Sequence, residues 1–239
     1  MIAACVTVLC LSGTVPAGSA DKIHVGQFSS GTPGENLPEE WEPLLFKKIG
    51  THTLYTVVEA DGAVVLKAES RSAASGLIRK IRIDPVEYPI IRWKWKVMNT
   101  LQKGDVTKKE GDDYPARLYI TFEYDPSKLS FFDRTKYKAA KLLYGDYPPT
   151  GPINYIWASN APIETVTPNP FTKRAMMIVV ESGKEKLNQW IEEKRNILED
   201  YRSAFGSDPP AISGVAIMTD TDNTGESAVA YFGDIVFEN

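Results

Sequence analysis

The stretch IIRWKWKV, residues 90–97, alternates basic and apolar side chains from its third residue onward. Because successive side chains of a β-strand point to opposite faces of a sheet, this period of two predicts a strand with one wet and one buried face. The basic face carries Arg92, Lys94 and Lys96, and the apolar face carries Trp93, Trp95 and Val97. The stretch therefore favours a sheet that packs one face into a hydrophobic core.

A second alternating stretch is RLYITFEY, residues 117–124. Its apolar stripe is Leu118, Ile120, Phe122 and Tyr124, and its other stripe is Arg117, Tyr119, Thr121 and Glu123. The second stripe is both polar and aromatic. Such a face can line a ligand cleft, and we therefore take Arg117 and Tyr119 as candidate ligand-binding residues.

Working outward, short β-rich runs separated by Gly, Pro, Asn and Asp recur along the chain, and Asp61-Gly62 is a strong hairpin signal. Strands are predicted at residues 24–28, 53–59, 64–70, 77–83, 90–98, 117–124, 154–158, 175–182, 214–219 and 228–237. Two short helices are predicted at 133–144 and 190–205, each followed by glycine, and the polar segment 99–113 is the longest predicted loop. The pattern favours a mainly β, antiparallel two-sheet sandwich.

Residues 1–20 contain no charged side chain and begin with an apolar run, which predicts a secretory signal peptide cleaved after Ala20. No basic residue precedes that run, as expected if the natural chain starts further upstream or is truncated here; a buried N-terminal strand is the alternative. We expect residues 21–239 to form one domain that is periplasmic or secreted. We expect no transmembrane anchor once the leader is removed.

Composition excludes several chemistries. The 27 basic and 31 acidic residues give a net charge of −4, which disfavours nucleic acid as a partner. Both cysteines, Cys5 and Cys10, lie in the predicted leader, so the mature chain has no thiol. Two histidines, His24 and His52, are too few for a multi-histidine metal site. Nothing in the composition fixes the oligomeric state.

Three longer motifs carry a family resemblance: EGDDYPARLYITFEYD from residue 110, NYIWA from residue 154, and RNILEDYRSAFGSDPPAISGVAIMTDTDNTGESAVAYFGDIVF from residue 195. Together they resemble the bacterial domain of unknown function 3047 family, over residues 28–237. The resemblance implies an exported jelly-roll sandwich similar to galactose-binding and carbohydrate-binding modules. It implies no established activity.

Asp112 and Asp113 lie four and five residues before Arg117, in a turn that leads into the strand at 117–124. A carboxylate paired with a guanidinium can bind sugar hydroxyls or supply acid and base groups at a cleft. The alternative is an ion pair that fixes the loop to the sandwich. Adjacent Asp residues in an extended segment point apart, which weakens a catalytic dyad.

Tyr155 and Trp157, in the strand predicted at 154–158, are candidates for an aromatic platform that stacks against a sugar ring. Aromatic side chains in alternating strands also pack in cores, and for Trp93 and Trp95 we expect core packing. For Trp157, which precedes the polar pair Ser159-Asn160, both interpretations stay open.

The turn at residues 220–225, DTDNTG, offers oxygen ligands at Asp220, Asp222 and Asn223 and a glycine in its sixth position. An EF-hand requires an acidic twelfth residue, and that residue is Tyr231, so this turn is not an EF-hand. A different oxygen-ligated site, for calcium or magnesium, is one interpretation. A hairpin whose side chains cap its own amides is the other.

These observations support three hypotheses. The first is an exported, non-catalytic domain that binds carbohydrate. The second is a hydrolase or lyase that acts on polysaccharide through Asp112, Asp113 and Arg117. The third is an envelope assembly module without a small ligand, which an exposed apolar patch would favour.

Overall fold

The computed structural model describes residues 21–34, 37–124 and 151–239. Thirteen strands lie in these ranges: β1 (Lys22–Gly26), β2 (Glu42–Leu44), β3 (Leu54–Ala60), β4 (Ala63–Arg71), β5 (Ala74–Ile83), β6 (Ile90–Val97), β7 (Arg117–Phe122), β8 (Ile153–Ala158), β9 (Val166–Asn169), β10 (Thr172–Ser182), β11 (Ile191–Asn196), β12 (Ile212–Asp220) and β13 (Ser227–Glu238). The α-helix among the described residues is α1 (Ile197–Phe205). No helix in these ranges is long and apolar enough to cross a membrane.

The strands form two sheets of a jelly-roll sandwich. The six-stranded sheet has the order β11-β6-β13-β4-β3, with β1 also paired to β13. The seven-stranded sheet has the order β2-β5-β12-β7-β8-β10-β9. Among the described strands the pairs are antiparallel except β8 with β10, which is parallel. The antiparallel two-sheet sandwich is thus confirmed, and the one parallel pair arises because the antiparallel return strand, β9, lies outside β10 instead of between β8 and β10.

The hydrophobic core lies between the two sheets, and aromatic rings cross it. Trp93 of β6 stacks on Tyr155 of β8 with ring centroids 5.3 Å apart, and Trp95 meets Trp157 at 6.1 Å. All four side chains are buried. The apolar stripe of residues 90–97 is thus confirmed, since Trp93, Trp95 and Val97 belong to the core. The basic stripe is wet only in part, because Lys96 is buried and pairs with Asp61.

The predicted helix at 190–205 is wrong in its first half. Residues Ile191–Asn196 form β11, which pairs with the edge of β6, and the helix begins only at Ile197. Asn196 caps it by accepting a hydrogen bond from the Glu199 amide, and Gly206 ends it with a left-handed φ of 70°. The free edge of β6 offers backbone partners that override the local helical pattern. The other predicted helix, at 133–144, lies outside the described residues.

The loop between β6 and β7 covers part of the outer face of the seven-stranded sheet. Val106 and Tyr114 of this segment are buried against Ile156 of β8 and against Met177 and Val179 of β10. This contact forms a small second core on the side of the sheet that faces away from the main one. The uncovered part of the same face, over β12, β7 and β8, is left as a cleft.

Candidate functional site

The cleft has a volume of about 750 Å³ and is lined by side chains from six parts of the chain. Its floor consists of Met218 and Asp220 of β12, Arg117 and Tyr119 of β7, and Asn154 of β8. One wall is the segment 45–49, and the opposite wall contains residues 169, 171, 172 and 175. One end of the cleft is formed by Asp112, Asp222 and Asn223. The stripe that begins with Arg117 and Tyr119 therefore lines a cleft, as its alternation suggests.

Arg117 is the central charged group of the cleft floor and is only 3 % exposed. Its Nε donates to Asp220 Oδ1 at 2.7 Å, and its Nη2 donates to Asp220 Oδ2, which makes the pair bidentate. Nη1 donates to the Tyr119 hydroxyl at 3.1 Å, and the guanidinium lies 4.2 Å from the centre of the Tyr114 ring. Burial raises the pKa of Asp220, while the charge of Arg117 acts in the opposite direction. The contact holds β7 and β12 in register at the cleft floor.

The two aspartates expected to meet Arg117 have different partners. The backbone carbonyl of Asp112 accepts a hydrogen bond from Arg117 Nη2, whereas its carboxylate Oδ1 is 3.6 Å from Arg117 Nη1. The other carboxylate oxygen, Oδ2, accepts a hydrogen bond from Asn169 Nδ2 at 2.7 Å. Asp113 is fully buried and accepts from the Thr224 amide at 2.6 Å and from Asn223 Nδ2 at 3.0 Å. The neighbouring carboxylates thus point apart, and Asp113 holds the 222–225 turn.

The two groups of acidic candidates converge at one end of the cleft. Asp113, Asp220 and Asp222 each offer a carboxylate oxygen, and these oxygens lie within 4.8 Å of one another. Asn223 lies beside them through its bond to Asp113. Burial, followed by the charge of Asp113, raises the pKa of Asp222. We call Asp112, Asp113, Asp220 and Asp222 the acidic end of the cleft.

Tyr155 and Trp157 do not reach the cleft, which corrects their assignment as an aromatic platform. Both are fully buried, with the Tyr155 hydroxyl donating to Asp200 Oδ2 at 2.7 Å and Trp157 Nε1 donating to the Gly183 carbonyl at 3.1 Å. The odd-numbered residues of β8 face the main core, so Asn154 is the β8 residue that lines the cleft.

Most of the cleft lining was not predicted from the sequence, and three of its residues matter for binding: Phe171, Leu45 and Asn154. Phe171 and Leu45, on opposite walls, are each 55 % exposed and present apolar surface to the cleft. Asn154 is buried in the floor, and its Oδ1, like Asp112 Oδ1, has no hydrogen-bond partner among the described residues. The alternation of faces along the strand at 154–158 could have placed Asn154 on the face opposite to Tyr155 and Trp157. The walls come from short irregular segments, which have no alternating pattern to predict the direction of their side chains.

Outside the cleft, Glu193 of β11 is a titratable group with a testable effect on stability. Its Oε1 accepts from Trp95 Nε1 at 3.3 Å, and the nearby Glu181 pairs with Lys186 at 2.6 Å. Burial, followed by the charge of Glu181, raises the pKa of Glu193 from 4.5 to about 7. The folded state therefore holds a proton that the unfolded chain releases near pH 4.5, so this contribution to stability is lost as pH rises toward and through 7.

We expect Glu193→Gln to unfold with a free energy about 1–2 kcal/mol higher than wild type at pH 8 and nearly equal to it at pH 5. Urea unfolding at the two pH values measures this difference. Glu192→Gln, on the exposed face of the same strand, is the matched control and should leave the pH dependence unchanged. A Glu193→Gln curve parallel to wild type across this range would contradict the prediction.

The fold and the cleft define the class of the protein: a jelly-roll β-sandwich with a cleft, polar at its floor, on the outer face of one sheet. A family model described as "Protein of unknown function (DUF3047)" matches residues 39–236. The chain belongs to this family, which confirms the resemblance seen in its motifs. Among curated proteins, no match to the chain is found.

Solved structures are similar to this chain over most of its length. The family 11 carbohydrate-binding module of the cellulosomal cellulase Lic26A-Cel5E of Clostridium thermocellum is 8 % identical, with a TM-score of 0.43 over 92 % of this chain and 95 % of that one. The family 30 module of Cel9D-Cel44B of the same organism is 13 % identical, with a TM-score of 0.37 over 90 % and 96 %. A thermostable cellulase derived from Cel12A of Rhodothermus marinus is 11 % identical, with a TM-score of 0.40 over 91 % and 100 %.

Proposed function

We propose that this protein is an exported, non-catalytic binding domain that holds a carbohydrate in the cleft. The observation that carries the proposal is the cleft itself, about 750 Å³ in volume, in which the exposed apolar side chains of Phe171 and Leu45 lie above a floor of polar and charged groups. A cleft of this size with a mixed lining is typical of a small-ligand site.

The polar groups of the cleft favour a ligand with hydroxyl donors. The strongest donors in the floor are already engaged, since Arg117 donates to Asp220 and Tyr119, and Asn169 donates to Asp112. The half-buried Asp222 carboxylate is an acceptor at the acidic end, and the exposed Lys48 in one wall is a donor. A hydroxyl both donates and accepts hydrogen bonds, so it can meet both kinds of group.

The walls favour a ligand that also has an apolar surface. Phe171 on one side and Leu45 on the other expose apolar surface above the polar floor. A sugar ring combines C–H faces with hydroxyl edges, so it can pack against such walls while its hydroxyls reach the floor. This combination is the reason for proposing a carbohydrate rather than a purely polar or purely apolar ligand.

The engagement of Asp113 and Arg117 supports a binding role over the hydrolase hypothesis. A general acid or base must reach the substrate and exchange a proton with it. Asp113 is fully buried and binds the Thr224 amide and Asn223, and Arg117 is buried in its pair with Asp220. Of the three residues of that hypothesis, Asp112 is the one with an unsatisfied carboxylate oxygen.

We expect Phe171→Ala to weaken glycan binding about tenfold, the equivalent of roughly 1.4 kcal/mol, without lowering the melting temperature. Isothermal titration calorimetry with cello- and manno-oligosaccharides as neutral probes and oligogalacturonates as acidic probes measures the effect. Leu54→Ala, at a side chain 60 % exposed outside the cleft, is the control and should bind as wild type does. Wild-type protein that binds none of these probes, or Phe171→Ala with unchanged affinity, would overturn the proposal.

A further inference from the structure

We infer that the binding site continues beyond Phe171 into a second cavity, so that its ligand is an extended oligosaccharide chain rather than a single sugar. The inference rests on the proposed function and adds a second subsite to it. The second cavity has a volume of about 410 Å³ and is lined by residue 107 and residues 167–173. Both this cavity and the cleft lie within the range of about 300–1,000 Å³ that is typical of small-ligand sites. Each can therefore hold its own part of a chain.

The first argument is that the cleft and the second cavity share a wall. Asn169, Phe171 and Thr172 line both of them. These residues belong to the hairpin that joins β9 to β10, in which Asn169 pairs with Thr172 on either side of Pro170 and Phe171. Phe171 is 55 % exposed in this turn. A ligand that packs on its ring in the cleft therefore lies next to the second cavity.

The second argument is that the shared wall is held in place. Asn169 Nδ2 donates to Asp112 Oδ2 at 2.7 Å, and Asn169 Oδ1 accepts from the Phe171 amide at 2.9 Å. One side chain thus ties the turn to the end of the cleft and fixes the backbone that carries the Phe171 ring. The Lys109 ammonium lies 5.5 Å from the centre of that ring, within the range of a cation–π contact. A turn fixed in this way loses little conformational freedom when a ligand binds.

The third argument is the chemistry of the second cavity, which repeats the mixed lining of the cleft. Pro168, Pro170 and Phe171 offer apolar surface, and Thr167 and Lys173 offer polar groups. Thr167 is half-buried and Lys173 is exposed, and neither side chain has a hydrogen bond or ion pair with another residue of the described ranges. A hydroxyl and an ammonium that are accessible and unengaged can bind the hydroxyls of a sugar whose ring packs on the apolar surface.

The dependence of affinity on chain length is the first measurement. Calorimetry with the full chain compares disaccharides, tetrasaccharides and hexasaccharides of the cello, manno and galacturonate series. We expect the affinity to rise at least about tenfold from the disaccharide to the hexasaccharide, because the longer chain reaches the cleft and the second cavity together. Equal affinities at all lengths would overturn the inference.

The double variant Thr167→Val with Lys173→Met is decisive, because a longer chain also offers more registers to a single subsite. We expect the ratio of hexasaccharide to disaccharide affinity to fall at least about threefold, since the hydrogen bonds of the second subsite are lost. The melting temperature should stay that of wild type, because neither side chain has a partner in the described fold. Thr56→Val with Lys194→Met, at a half-buried threonine and an exposed lysine in the edge strands of the other sheet, is the matched control and should keep the wild-type ratio.

The outcomes separate this inference from the proposed function. Glycan binding that does not depend on chain length, or a gain with length that the double variant retains, would reject the second subsite and leave the carbohydrate proposal standing. The absence of heat with every probe would reject the carbohydrate proposal, and the second subsite with it. A gain with length that only the double variant at Thr167 and Lys173 loses is the result expected here.

Discussion

Replacement of Arg117 by methionine is expected to lower the free energy of unfolding by about 3–5 kcal/mol, the cost typical of removing one partner of a buried ion pair. The guanidinium is 3 % exposed and binds both oxygens of Asp220, which is itself 2 % exposed. Without Arg117, the Asp220 carboxylate stays buried beside Asp113 with no compensating charge. Urea unfolding at pH 7 measures the loss.

The double variant Arg117→Met with Asp220→Asn tests the cause. Asparagine keeps an oxygen at the position that accepts from the Tyr114 amide at 3.2 Å, but it carries no charge. If the cost of Arg117→Met comes from an uncompensated buried charge, the double variant should recover most of the lost stability. A double variant that is as unstable as the single one would show that packing of the arginine, including its contact with the Tyr114 ring, is what matters.

Replacement of Trp157 by alanine is expected to cost about 3–5 kcal/mol of stability, as for large aromatic residues removed from a core. The ring is fully buried against Trp95, and its Nε1 donates to the Gly183 carbonyl. The alanine variant leaves a cavity between the sheets and an unsatisfied carbonyl. The comparison is Trp190→Ala, at a half-buried ring on the outer face of the other sheet, with an expected cost of about 1 kcal/mol.

The Trp157 variant also tests which face of β8 binds ligand. Because the side chain is shielded by both sheets, any loss of glycan affinity should follow the loss of folded protein. Normal stability with reduced glycan affinity in Trp157→Ala would contradict the core position. It would restore the aromatic platform suggested by the sequence.

The cleft could be predicted from the sequence only in part. The alternation at 117–124 correctly assigned Arg117 and Tyr119 to a face that lines a cleft. At 154–158 the same reasoning was insufficient, because all six residues of β8 are buried and no polar stripe marks the outer face. The outer face is buried there because the loop before β7 packs on it, and such a long-range contact leaves no local signal.

The ion-pair partner of Arg117 could not be predicted from neighbouring residues in the sequence, for a similar reason. Asp112 and Asp113 were the carboxylates nearest to it in sequence, whereas its bidentate partner, Asp220, is 103 residues away. The pairing follows from β12 lying beside β7, with Met218 opposite Arg117 in the register and Asp220 two residues further on the same face. Strand order is set by the packing of the whole sandwich.

The sequence by itself determined the β-rich pattern, the position of most strands, the side chains that share a strand face, and the family. These properties depend on residues a few positions apart, and the period of two encodes them directly. The tertiary structure alone decided which face of β8 meets the core, that residues 191–196 form an edge strand, and that the 112–113 and 220–223 turns share one end of a cleft. Those contacts join segments far apart in the chain, so their free energy depends on the packing of both sheets and has no counterpart in any local pattern.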